Sequence, residues 1–139
     1  MRAAALPPCS TFAKEVQQAI KNGVALGTRQ YSLNMKDQQK VHYYRAHQHK
    51  IFFICELYDL LQRLWHFDQV TSSLLSQLWN PDIKAPLDDM REQPDASAHC
   101  QHKLRDSCQF SAMGNLLVHL KYASHASRRN ANVYRKRIE

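Results

Sequence analysis

IFFICELYDLLQRLWHFDQVTSSLLSQLW, residues 51–79, is the densest apolar run in the chain and holds both tryptophans, Trp65 and Trp79. Within it Ile54, Leu57, Tyr58, Leu61, Leu64 and Trp65 recur at the spacing of three and four that marks one helical face. Phe53 and Leu60 widen that face, and Glu56, Asp59, Arg63 and His66 form a polar stripe opposite. An arc this broad is buried on more than one side, which predicts the central helix of a bundle. The polar stripe is expected to face solvent, with Asp59 pairing to Arg63 one turn on.

Upstream, Asn34 followed by Asp37 resembles a helix start, so the spacing predicts one long helix over 35–66, bent near residue 50. Its first half carries Lys36, Lys40, Arg45 and Lys50 interleaved with His42, His47 and His49, and with Tyr43 and Tyr44. This half is expected to project from the core or to lie across its surface. Nearer the amino end, Phe12, Val16, Ala19 and Ile20 mark a short helix over 11–22, capped by Ser10 and stopped by Lys21-Asn22-Gly23. Val24–Leu33 reads as a connector, and residues 1–9 as a flexible lead-in.

Downstream, Asp68 is placed to cap a helix over 69–79 that Pro81 ends. Residues 80–97 concentrate Pro81, Pro86 and Pro94 with Asp82, Asp88, Asp89, Glu92 and Asp95, the composition of an acidic loop. Leu104, Cys108, Met113, Leu116, Leu117, Leu120 and Ala123 keep helical spacing over 98–125, with Gly114 a place to kink or split that helix. From 128 to 139 the chain is a basic tail, in which Val133 and Tyr134 are adjacent and give no helical apolar face.

Only 3 glycines occur in 139 residues, and β-rich folds use glycine freely in turns. The expectation is therefore an all-α fold: about four helices in a small bundle, a long central helix and a basic C-terminal tail. One helical domain is expected over 10–127. The apolar content of 44% is that of a globular chain. The formal charge of +7 and pI near 9.4 favour an acidic partner.

Cys9, Cys55, Cys100 and Cys108 permit two disulfides, but MRAAALPPC is too short and proline-broken for a secretory signal. Reduced thiols and an intracellular setting (cytoplasmic, nuclear or organellar) are expected, with secretion only for a processed chain. No transmembrane segment is expected, because Glu56, Asp59 and Arg63 interrupt the one candidate span.

Chemistry finds few footholds. His99, Cys100 and His102, with Cys108 and His119 further on, hold ligand-type residues without two short-spaced pairs, so no metal is expected. Phosphate loops and nucleophile elbows need glycines at set positions that this chain lacks. No catalytic residue, no cofactor and no enzyme are expected.

Gln38-Gln39-Lys40-Val41-His42-Tyr43-Tyr44-Arg45 resembles the leucine-tyrosine-arginine signature of small mitochondrial assembly proteins, with tyrosine standing for the leucine. Asn115-Leu116-Leu117, with Leu120-Lys121-Tyr122, is similar to helical cytokines of the interferon type. Each likeness covers a dozen residues or fewer, and no family membership is drawn from either.

The function expected is a non-enzymatic helical protein-interaction module: an adaptor, an assembly factor or a small subunit. Phe52, Phe53, Phe67 and Trp79 are its candidate protein interface, because so many aromatics exceed what a small helical core hides. The alternative is a nucleic-acid binder that uses Lys36, Lys40, Arg45 and Lys50 together with Arg128, Arg129, Arg135, Lys136 and Arg137. A secreted helical cytokine with two disulfides is the third reading.

Overall fold

The run LysValHisTyrTyrArg that opens at Lys40 is a strand, and it overturns the all-α expectation. The computed structural model describes residues 5–26, 29–71, 107–128 and 131–137. Among these residues it has three helices and seven strands in two antiparallel sheets, a mixed α/β fold and not a helical bundle. In chain order the elements are α1 (Cys9–Lys21), β1 (Val24–Leu26), β2 (Arg29–Leu33), β3 (Lys40–Arg45), β4 (Gln48–Phe53), α2 (Ile54–Phe67) and β5 (Gln69–Thr71). After them come α3 (Ser107–His119), β6 (Ala123–Arg128) and β7 (Ala131–Lys136). Residues 72–106, which contain most of the expected helix over 69–79 and the acidic proline segment, lie outside the described residues.

The long helix expected over 35–66 divides into a hairpin and a shorter helix. Lys40–Phe53 folds back on itself as β3 and β4, with Val41 opposite Phe52 and Tyr44 opposite His49. Alternation decides the matter: Val41, Tyr43 and Phe52 point to the core while Tyr44 and His49 stay exposed. The polar chemistry at Asn34 and Asp37 caps a turn in place of a helix. Asn34 Oδ1 accepts the backbone N–H groups of Lys36 and Asp37 at 2.9 and 3.0 Å, and Asp37 Oδ1 accepts that of Gln39 at 3.0 Å. The expected connector at Val24–Leu33 is likewise β1 and β2. The four strands form a meander in the order β1-β2-β3-β4.

α1 follows its sequence signal closely. Phe12, Val16 and Ile20 are buried along one stripe, and Gly23 at φ +93 closes the helix after Asn22. It begins at Cys9, after Pro8, so Ser10 is not its cap. α2 is central as expected, but its polar stripe is interior: Glu56, Asp59, Gln62 and Arg63 are all buried. Glu56 Oε1 accepts the Phe53 N–H at 2.9 Å at the start of the helix, and its Oε2 accepts from Gln109 of α3 at 3.3 Å. The Asp59–Arg63 pair forms as the spacing predicts, at 3.2 Å, with both side chains out of solvent. Leu57, Leu60, Leu61 and Leu64 are fully buried, and each contributes roughly 1.5–3 kcal/mol of transfer free energy. Cys55 is disulfide-bonded, so the expectation of reduced thiols fails there, while Cys9 carries a buried thiol.

Asp68, expected to open a helix, ends α2 instead at φ +66, and its carbonyl accepts the Lys136 N–H at 2.9 Å. The expected basic tail is structured: Arg128 closes β6, and Ala131–Lys136 is β7, the middle strand of a sheet ordered β5-β7-β6. Neighbouring strand residues face opposite sides of a sheet, so the buried pair Val133 and Tyr134 shows cover on both faces. The helix expected over 98–125 is described from Ser107 and ends at His119, where Lys121 at φ +69 turns the chain into β6.

Gly114 neither kinks nor splits α3. A Cβ placed there would lie within 2.7 Å of three carbons of the Tyr134 ring, so glycine lets β7 dock on the helix backbone. α3 packs on β6 and β7, and α2 packs on β4, β5, β7 and α1. Tyr31 of β2 donates its hydroxyl to the Ala112 carbonyl at 2.6 Å, tying the first sheet to α3. No helix among the described residues is long and apolar enough to cross a membrane.

Candidate binding surface on the four-stranded sheet

Strand alternation divides the four-stranded sheet into two faces. Val24, Tyr31, Val41, Tyr43 and Phe52 are buried on the inner face. The register places Gln30, Tyr44 and His49 side by side on the other face, with Ser32, His42 and Ile51 in the next row. His49 stands between His42 and Tyr44. Its ring centroid is 4.6 Å from Tyr44, with planes 10° apart, and 4.9 Å from His42. Tyr44 is 40% exposed, one of only three large hydrophobic side chains that are exposed among the described residues.

Hydrogen bonding fixes the tautomers of this stack. The Asn34 side-chain amide donates to His42 Nε2 across 3.2 Å, so His42 carries its proton on Nδ1. From there His42 donates to His49 Nε2 across 2.7 Å. The arrangement needs both rings neutral. Burial first, then the neighbouring His49 and Lys40, push the His42 pKa below its ordinary value. The chain Asn34–His42–His49 therefore holds the rings stacked, with planes 10–23° apart.

The residues singled out from sequence scatter over the fold. Lys36 is exposed in the loop between β2 and β3, and Lys40 lies half-buried at the start of β3 on the same face as His42 and Tyr44. Lys50 is opposite Tyr43 and so belongs to the inner face. Arg45 is exposed at the hairpin end. Arg135 is exposed on β7, Lys136 sets its Nζ 4.9 Å from the centre of the Trp65 ring, and the Arg137 N–H bonds to the Tyr122 carbonyl. Arg129 and Trp79 lie outside the described residues, as does the Arg128 side chain. The two groups of cations thus sit on different sheets and make no single stripe.

Of the candidate protein interface, Phe52 and Phe53 are buried, so their rings fill the core. Phe67 is 44% exposed at the end of α2, with the His66 ring edge-on at 4.6 Å. Sequence reasoning missed the histidine–tyrosine stack. Its signal was there, in the period of two that joins Lys40, His42 and Tyr44, but helical spacing sets those residues on different sides.

On the second sheet His125 Nε2 lies 2.8 Å from Asn132 Oδ1, and Asn132 donates to Ser111 Oγ at 2.9 Å. Asparagine between the two holds no proton-accepting pair, so this chain fastens β6 and β7 to α3. Glu56 and Asp59 are occupied in the helix-start bond and the ion pair described above. His99, Cys100 and His102 lie outside the described residues. No group of three or more His, Cys, Asp or Glu side chains is placed to hold a metal ion among the described residues. Comparison with known protein families, with curated proteins and with solved structures finds no match to this chain.

Proposed function

We propose that the chain is a non-enzymatic protein-interaction module that meets its partner with the outer face of the four-stranded sheet. The observation that carries this reading is the exposed Tyr44–His49–His42 stack, held rigid by Asn34. Rings fixed before contact lose little conformational entropy on binding, and tyrosine and histidine offer apolar bodies with polar tips. The disulfide at Cys55 favours an oxidising compartment over the intracellular setting expected from sequence. Affinity capture with the intact chain as bait tests the reading when run beside a Tyr44→Ala/His49→Ala bait of matched thermal stability. An aromatic hot spot carries about 2 kcal/mol or more, so the variant should hold its partner roughly 30-fold more weakly. Equal recovery of the same chains on both baits would remove this face from the interface.

A second reading is single-stranded nucleic acid, favoured by Lys40 beside His42, by Lys36 exposed in the loop before it and by the charge of +7. A base stacked on the open side of Tyr44 would add about 1–3 kcal/mol, and phosphate contacts would make affinity fall steeply with salt. Anisotropy titrations with mixed single-stranded oligonucleotides at two salt concentrations decide between the readings. Salt-sensitive binding that Tyr44→Ala abolishes would favour the nucleic acid.

A further inference from the structure

At the hairpin end of the first sheet, the last rung of the inner face places arginine against arginine. Arg29 of β2 stands directly opposite Arg45 of β3, and Arg45 stands directly opposite Gln48 of β4. Like charges opposite one another on a sheet repel. Neither guanidinium makes a hydrogen bond or ion pair among the described residues. Arg29 is only 9% exposed, and its buried Nε has no hydrogen-bond partner. A buried charged donor left in this state is costly to the fold. Beside this rung a surface cavity of about 430 Å³ is lined by Arg45, Ala46, His47 and Gln48. The Tyr134 hydroxyl feels the Arg29 charge, but burial pushes its pKa up to about 12 even though Arg29 and a bond to Ser111 oppose the rise. Tyr134 therefore stays protonated and supplies no counter-charge.

We propose that this rung is an anion site for a phosphate group, held between the Arg29 and Arg45 guanidiniums with Gln48 and His47 at the cavity side. The chemistry fits on three counts. Two guanidiniums match the two negative charges of a phosphate monoester, and each presents paired N–H donors that span two of its oxygens. The Gln48 amide can add a neutral donor to a further oxygen. A phosphate there would also remove the repulsion between the arginines. The site lies on the opposite face of the sheet from Tyr44 and His49, so it stands whether or not the outer face binds a protein.

The group has two sources, the free ion and a phosphorylated strand end, and the test separates them. The intact chain is titrated by calorimetry with inorganic phosphate at constant ionic strength, with chloride as the control. The same titration uses a tetranucleotide carrying a 5′-phosphate and its unphosphorylated counterpart. Phosphate should bind where chloride does not, and Arg45→Gln, an exposed change that leaves the core intact, should weaken binding by about tenfold or more, as loss of a charge-assisted pair implies. Arg29→Gln should do the same, and its melting temperature should not fall, because it removes a buried charge that lacks a partner. Tighter binding of the phosphorylated oligonucleotide than of inorganic phosphate assigns the site to a strand end, and the reverse order assigns it to the free ion. Phosphate affinity that equals chloride affinity, or that is unchanged in Arg45→Gln, would overturn the proposal.

Discussion

Replacing Gly114 by alanine tests how β7 is seated. In an isolated helix the change helps, because alanine is favoured over glycine by about 1 kcal/mol in a helix interior. Here the added Cβ meets three carbons of the Tyr134 ring within 2.7 Å. Restoring van der Waals contact requires the ring to retreat by roughly 1 Å. Little lets it retreat: Tyr134 is fully buried, Phe110 and His125 flank it at 5.4 and 5.1 Å, and its hydroxyl lies 2.9 Å from Asn115 Oδ1. Overpacking of this kind costs up to about 3 kcal/mol, and stretching the buried hydrogen bond adds about 1 kcal/mol. Less the helix gain, Gly114→Ala should destabilise by about 3 kcal/mol, read as a lower urea midpoint at unchanged slope. The sign should reverse once the ring is gone. Tyr134→Ala alone should cost about 3–5 kcal/mol, and in that background Gly114→Ala should stabilise by up to about 1 kcal/mol. A neutral or stabilising Gly114→Ala in the wild-type background would mean that the ring does not rest on α3, and the seating of β7 would be wrong.

Other perturbations give sharp expectations. Deleting residues 131–139 removes the middle strand of the second sheet, so cooperative unfolding should be lost; a truncated chain that still melts cooperatively would show that the fold does not depend on β7. Ala46 holds φ +54 in the β3–β4 turn, a conformation that costs a non-glycine residue about 1–2 kcal/mol, so Ala46→Gly should stabilise by about 0.5–1 kcal/mol after its added unfolded-state entropy. For His42 the folded pKa is lowered, so the unfolded chain binds more protons between that value and 6.5. Its contribution to stability is complete above pH 6.5 and is lost as pH falls through the folded pKa; His42→Gln should flatten that part of a stability–pH curve.

The helices were legible in the sequence because each has a sustained apolar stripe, but only α1 also carries an end signal that was read, and the start of α2 at Ile54 was not seen. α1 shows Phe12, Val16 and Ile20 followed by Gly23, and α2 shows Leu57, Leu61 and Leu64. The hairpin was not legible, and the reason is turn chemistry. Ala46, Asp68 and Lys121 all take positive φ in this fold, so residues other than glycine occupy positions where glycine is usual. Scarcity of glycine therefore said nothing about strands. The Ala46-His47 turn carries neither glycine nor asparagine, and a helix pattern ran through it unbroken. β7 hid for a different reason: adjacent Val133 and Tyr134 look like no amphipathic face until both sides of the strand are covered. Part of the candidate surface was visible as histidines and tyrosines among lysines. Which of them share a face depended on reading a period of two where helical spacing had been assumed.

The binding face is the central claim, and site-specific photocrosslinking tests it most directly. A photoreactive p-benzoylphenylalanine is placed at Tyr44 on the outer face of the first sheet, or at Arg135, exposed on the second. Each chain is irradiated in native extract and resolved by mass. The account predicts a discrete crosslinked species from position 44 and none from position 135. A crosslink from position 135 with none from position 44 would contradict it.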